Sequence, residues 1–158
     1  MDALVDECAR CGGHETGGWL VGPRTAAWHG DHNIIEATVA ATARTRSSVA
    51  LDTAAFLAMD EHLVSERRRG KGFDLRAIGD WHSHPSSVAT PSENDLQCWA
   101  RDLATIADHN ASLTSLIVTQ RDGRDTWARP VVTAWITRHA RSSFGQQMVV
   151  EPATVTLA

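Results

Sequence analysis

The alternation of helical and strand patterns is the feature that most limits how this 158-residue chain can fold. Apolar residues recur at helical spacing in residues 2–11, 52–69 and 92–109, which predicts three helices. The segments between and after them have the apolar alternation of strands, at residues 16–21, 34–45, 73–81, 113–119 and 126–136. Helices that alternate with strands indicate an α/β fold, in which helices flank one mixed β-sheet.

The length of the chain is that of one domain with a substantial core. Hydrophobic residues make up 42% of the chain and charged residues 22%, as in ordinary globular proteins. We place the domain at residues 1–140. Residues 141–158 are a C-terminal tail, in which Gln147–Val150 could form an edge strand.

Composition also excludes several classes of function. The formal net charge is −4, and Arg67–Arg69 is the one cationic run, so we expect no nucleic-acid partner. No apolar stretch approaches the roughly 18 residues of a membrane span, and the acidic N-terminus does not resemble a signal peptide. Three cysteines are an odd number, which favours a reducing cytoplasm over a disulfide-stabilised secreted protein.

The motif Cys8-Ala-Arg-Cys11, followed by His14, has two interpretations. It could be half of a metal site or a redox pair at the end of a helix. A structural zinc site needs four ligands, and no second such pair follows. We therefore favour two small residues on a short helix, and the role of both cysteines stays open.

The chemistry is concentrated in Gly79-Asp80-Trp81-His82-Ser83-His84-Pro85 and the nearby Asp95. His82 and His84 project from one face of a strand, about 7 Å apart along the chain, so both can bind one cation. Pro85 ends the strand, and Asp95 falls in the first turn of the next helix. Two imidazoles and one carboxylate suit zinc and leave a fourth position for water.

A water at that position needs a base, and Glu15, which lies among glycines, is the best candidate. Simpler explanations exist for each residue. The two histidines could be a chance pair, Ser92 and Asp95 a helix capping box, and Glu15 an exposed strand residue. Among the tryptophans, we expect Trp81 and Trp99 in the core. Trp28 and Trp127 could be partly exposed and line a substrate surface.

Together these residues resemble the JAMM motif of MPN/JAB-domain metallopeptidases. The motif comprises Glu15, His82-Ser83-His84-Pro85 and Ser92-x-x-Asp95, with ten residues between His84 and Asp95. The strand opening from Glu15 to Gly22, and Gly79-Asp80-Trp81, resemble the prokaryotic JAB subgroup. The resemblance covers about residues 3–138 and implies the MPN/JAB fold, a cytidine-deaminase-like architecture.

The resemblance implies one zinc ion on His82, His84 and Asp95. Glu15 would activate the water at the open position, and Ser92 would donate a hydrogen bond to the oxyanion. Deconjugating members hydrolyse peptide or isopeptide bonds after the C-terminal Gly-Gly of ubiquitin or ubiquitin-like proteins. We therefore expect the tail of a ubiquitin-like or sulfur-carrier protein as partner, bound by β-augmentation, with Ile34–Thr45 as a candidate edge strand.

Two other functions remain open at this point: a non-catalytic MPN scaffold that binds partner proteins, and a zinc hydrolase of small amides. Scaffolds usually lose zinc ligands, whereas this chain keeps the whole motif. The chain also begins inside the first helix of the family, so a strand near Val149 or a partner subunit could take the place of the strand before that helix. A homodimer is therefore left open.

Overall fold

The structure is a computed structural model that describes residues 2–23, 34–68, 75–105, 112–121, 127, 130–143 and 145–155. The described helices are α1 (Asp2–Cys11), α2 (Thr53–Arg68) and α3 (Glu93–Thr105). The described strands are β1 (Gly17–Pro23), β2 (Glu36–Ala37), β3 (Ala41–Arg44), β4 (Val49–Leu51), β5 (Leu75–His84), β6 (Ser112–Gln120), β7 (Pro130–Ser142) and β8 (Gly145–Ala153). This confirms the predicted α/β class. No described helix has the length and apolar character that a membrane crossing requires.

Six strands form one mixed sheet in the order β2-β1-β5-β6-β7-β8, and β3 pairs with β4 in a separate hairpin. Strands β5 and β6 run parallel, whereas the other described strand pairs are antiparallel. The chain passes from β5 to β6 through α3. Parallel neighbours end at the same edge of a sheet. Residues that follow β5 and β6 therefore meet at one edge, beside the start of α3.

The two faces of β5 pack against different helices. Trp81 is fully buried, in a cluster that includes Leu4 and Cys8 of α1. His82 points to the opposite face because strand residues alternate, and its ring centroid lies 6.4 Å from that of Trp99 on α3. Trp81 and Trp99 are thus core residues, as predicted. The expectation that Trp127 is partly exposed is wrong, since it is 6% exposed and belongs to the same cluster as Trp81; Trp28 lies outside the described residues.

The predicted strand at Ile34–Thr45 is wrong as one continuous element. It is divided into β2, which extends the main sheet, and β3, which belongs to the hairpin. Thr38 lies at the division, where its carbonyl oxygen accepts a 2.7 Å hydrogen bond from the indole nitrogen of Trp81. Its hydroxyl also accepts one from the backbone of Trp19 at 3.1 Å. The bond from Trp81 occupies the carbonyl of Thr38, although the amides of Thr38 and Ala40 still donate to β1. Alternation within the segment cannot reveal this tertiary bond.

Other boundaries moved by a few residues. Strand β5 reaches His84 and ends before Pro85, whereas β7 begins at Pro130 and not at residue 126. The connection between the strands predicted at 113–119 and 126–136 lies largely outside the described residues. The edge strand predicted at Gln147–Val150 is confirmed as the longer β8, which pairs with β7. The division of the chain at residue 140 stays a prediction.

Candidate metal centre

The pairing of β1 with β5 brings Glu15 close to His82 and His84, although Glu15 lies 67 residues before His82 in the sequence. Gly17 lies opposite His82 in the register. The amide of Thr16 donates to the hydroxyl of Ser83 at 2.9 Å, and the amide of Ser83 donates back to the carbonyl of Thr16 at 2.8 Å. On its other side, the amide of Glu15 donates to the carbonyl of Thr45 at 2.7 Å. The backbone of Glu15 is therefore fixed beside the end of β5.

The glycines after Glu15 permit this close approach of backbones. A Cβ atom at Gly17 would lie 2.5 Å from the carbonyl oxygen of Trp81, and one at Gly18 would lie 1.7 Å from that of Thr38. Both distances are shorter than any side chain tolerates. Glycine at these two positions is therefore required for β1 to pack against its neighbours.

His82, His84 and Asp95 converge on one point, as the sequence predicts. The two Nε2 atoms lie 3.1 Å apart. Oδ1 of Asp95 lies 3.3 Å from Nε2 of His82, and Oδ2 of Asp95 lies 3.5 Å from Nε2 of His84. Donors at about 2.0–2.1 Å from a tetrahedral zinc ion are separated by about 3.3 Å. The spacing and the donor types therefore fit zinc, and the cluster can hold a metal ion.

The other nitrogen of each imidazole has a partner that fixes the orientation of its ring. Nδ1 of His84 lies 2.9 Å from the carbonyl oxygen of Val88, and Nδ1 of His82 lies 3.6 Å from Oδ2 of Asp80. Ser115 donates a 2.6 Å hydrogen bond to Asp80 in turn. This arrangement leaves both Nε2 atoms for a cation, as in most histidine metal sites.

The sequence reasoning gave no role to Asp80 or Ser115. A signal for Asp80 was present, because Asp80, His82 and His84 follow each other at a spacing of two and so share one face of β5. Ser115 lies on the neighbouring strand, opposite Asp80 in the parallel register. No sequence pattern specifies that contact.

The start of α3 delivers the carboxylate to the cluster. Ser92 caps the helix, since its hydroxyl accepts from the amide of Asp95 at 3.2 Å and its carbonyl accepts from the amide of Leu96 at 3.1 Å. Asp95 reciprocates, because its Oδ2 accepts from the Ser92 amide at 2.6 Å and from the Ser92 hydroxyl at 2.7 Å. The predicted capping box therefore exists, and it also orients the carboxylate towards the histidines.

Burial and charge shift the titration of the cluster. Burial lowers the pKa of the His82 imidazole, but hydrogen bonds to Asp80 and Asp95 outweigh burial and raise that pKa to about 10. Burial raises the pKa of Asp95, but hydrogen bonds from His82 and His84 hold it well below its usual range. Without a cation, the cluster therefore holds a proton between its members. A metal ion that binds there must displace that proton.

Glu15 is buried, 8% exposed, and burial raises the pKa of its carboxyl, with the two histidines opposing that shift. The alternative of an exposed strand residue is therefore wrong. Glu15 borders two cavities. A larger one of about 900 Å³ is shared with His84 and Ser92, and a smaller one of about 330 Å³ is shared with His82 and Asp95. The carboxyl thus lies beside the cluster, with space for a substrate on either side.

The sequence model of a protein family, the prokaryotic homologs of the JAB domain, matches residues 1–141 of the chain. The chain belongs to this family. Its match spans α1, the cluster and most of β7, so the fold and the grouping of Glu15 with the three ligand candidates lie inside one JAB domain. No curated protein matches the chain.

The cysteine pair of this JAB domain lies on α1, and Cys8 packs on the face of β5 opposite the cluster. Cys8 is fully buried in the core, and burial raises the pKa of its thiol to about 12. The thiol of Cys11 instead contacts Oε1 of Glu7 at 3.3 Å. Within the described part of the chain, His82, His84 and Asp95 are the group found with metal-site geometry.

Proposed function

We propose that this JAB domain is a zinc-dependent peptidase or isopeptidase. Its substrate would be a ubiquitin-like or sulfur-carrier protein, cleaved after the C-terminal Gly-Gly. The proposal is supported above all by the convergence of His82, His84 and Asp95, whose donor atoms lie 3.1–3.5 Å from one another, with the buried carboxyl of Glu15 beside them. Membership of the JAB family supports a hydrolytic role.

A zinc ion held by the three residues would act as a Lewis acid and lower the pKa of a water molecule at its open position. Glu15 would accept a proton from that water as the water attacks the scissile carbonyl. The same carboxyl would then return the proton to the departing amine, so that no net proton is consumed in the two steps. Its raised pKa suits the first step, because a carboxylate with a higher pKa is a stronger base and accepts the proton more readily.

Ser92 would stabilise the oxyanion that forms at the scissile carbonyl. Its hydroxyl borders the same cavity as Glu15 and His84. In the structure this hydroxyl donates to Asp95, so it must turn towards the substrate to serve the reaction. A positioned donor of this kind commonly contributes about 10²–10³ in rate.

An extended tail needs a strand edge for β-augmentation, and β4 replaces Ile34–Thr45 as the candidate. Val49, Ala50 and Leu51 of β4 border the smaller cavity, together with Glu15 and His82. Among the described strands, β4 pairs with β3 alone. Main-chain hydrogen bonds to its other edge would align a tail with the metal centre.

The test uses a ubiquitin-like carrier extended beyond Gly-Gly, with the zinc content measured in parallel. Glu15→Gln should keep stoichiometric zinc and lose at least about 10²-fold in turnover. His84→Ala should lose both zinc and activity. Turnover by Glu15→Gln at the wild-type rate would remove Glu15 from the mechanism.

The same assay separates the two other functions. A wild-type protein with stoichiometric zinc that cleaves short amides, and not the extended carrier, would be a hydrolase of small amides. A wild-type protein without zinc that binds the carrier and does not cleave it would be a scaffold. Either result would refute the proposed activity.

A further inference from the structure

Gln120 occupies a place next to the metal centre that the proposed mechanism does not use. It is the last residue of β6, and the parallel register pairs His84 with Thr119. Gln120 therefore comes beside the chain that leaves β5 after His84, and its amide donates to the carbonyl of Ser86 at 3.3 Å. Gln120 is one of the residues that line the cavity of about 900 Å³, together with Glu15, His84 and Ser92.

The side-chain amide of Gln120 is buried without a partner. Gln120 is 1% exposed, and neither Nε2 nor Oε1 has a hydrogen-bond partner in the described structure. The indole nitrogen of Trp127, which borders the same cavity, is unpaired in the same way. A buried donor or acceptor without a partner lowers stability, so such groups in a native fold call for an explanation.

We infer that Gln120 is a substrate-binding residue, whose amide hydrogen-bonds a main-chain peptide group of the polypeptide that occupies the larger cavity. A carboxamide has one acceptor and one donor side, which match the N–H and C=O of an extended backbone. Trp127 adds a second donor to the same cavity. The inference rests on the proposed function, because it takes the ligand to be a polypeptide. Part of that polypeptide would lie in the larger cavity, between Glu15 and Gln120.

A binding role and a structural role predict opposite effects of one substitution. Gln120→Met keeps the volume and removes both unpaired groups, so the melting temperature should stay the same or rise. Substrate binding should weaken, because the peptide group then enters the cavity without its partner. The matched control is Thr137→Val on β7. Thr137 is fully buried, its hydroxyl is also unpaired, and it does not border either cavity described here.

The experiment uses the zinc-loaded full chain and a synthetic peptide with Gly-Gly at its centre. Gln120→Met should raise KM about tenfold with kcat little changed, since the lost hydrogen bonds act equally in the bound and transition states. Thr137→Val should leave KM unchanged. Peptides with one amide replaced by an ester, tested at successive positions, should show one position where the ester weakens binding to the wild type and has no effect on Gln120→Met.

Equilibrium binding of the same peptides to Glu15→Gln separates this inference from the proposed function. If the peptide binds in a Gln120-dependent manner and the wild type does not cleave it, the proposed activity fails and the inference stands. If the wild type cleaves it and Gln120→Met has the same KM, the inference fails and the activity stands. A peptide that does not bind to the zinc-loaded protein, or a Gln120→Met variant with reduced melting temperature and unchanged KM, also overturns the inference.

Discussion

The substitution Gly17→Ala tests whether the packing of β1 on β5 places Glu15, the proposed general base. A Cβ atom at Gly17 would lie 2.5 Å from the carbonyl oxygen of Trp81, whereas ordinary contact begins at 3.4 Å. The strand must therefore retreat by about 0.9 Å, the difference between the two distances. Glu15 is two residues away on the same segment and would move with it. A displacement of about 1 Å in a catalytic group commonly costs about 10²-fold in rate.

Turnover and zinc content should separate in this variant. Gly17→Ala should lose about 10²-fold in kcat and keep its zinc, because the new Cβ atom would lie 3.2 Å from that of His82, which requires a shift of only about 0.2 Å in this ligand candidate. Gly13→Ala is the matched control, also two residues from Glu15, and a Cβ atom there meets nothing within 4 Å. It should keep kcat within about twofold. A Gly17→Ala enzyme with wild-type kcat, or one that loses zinc along with activity, would refute this account of how Glu15 is placed.

Two further predictions concern zinc affinity and acid stability. Asp80→Asn should weaken zinc binding about 10–100-fold, because the His82 ring loses its anionic partner; competition with a chelator measures this, and an unchanged affinity would contradict it. For Glu7, burial raises the pKa of the carboxyl, but hydrogen bonds from Arg10, Thr16 and Cys11 outweigh burial and lower it from 4.5. Glu7→Gln should reduce the free energy of unfolding by about 1.5–3 kcal/mol near neutral pH. The pKa of Glu7 is lower in the folded state than in the unfolded state. The difference in unfolding free energy between wild type and Glu7→Gln should therefore persist above about pH 4.5 and shrink as the pH falls through the folded pKa. Denaturant unfolding at several pH values measures this difference, and a value that does not change with pH would contradict the prediction.

Much of the metal centre could be predicted because its residues follow simple local rules. His82 and His84 share a face of one strand, and Asp95 lies in the first turn of the next helix, so sequence spacing fixes most of the geometry. Glu15 is different. Its position depends on the register of β1 against β5, and the glycines around it indicated only that some close approach takes place there.

The parts that could not be predicted depend on contacts between distant segments. The division at Thr38 follows from its hydrogen bond to Trp81, which local alternation does not encode. Trp127 is buried because it packs in the same cluster as Leu4 of α1. Gln120 looks like an ordinary polar residue at the end of a strand, and only the parallel register brings it beside the metal centre.

X-ray absorption at the zinc edge, measured on the purified full chain with one equivalent of zinc, identifies the donor atoms around the metal directly. We expect two nitrogen donors and one carboxylate oxygen from the protein at about 2.0–2.1 Å, in four-coordinate geometry. Asp95→Ala should remove the carboxylate donor and weaken binding. A spectrum with sulfur donors, or one that is the same in the wild type and in His84→Ala, would contradict the assignment of His82, His84 and Asp95 as the metal site.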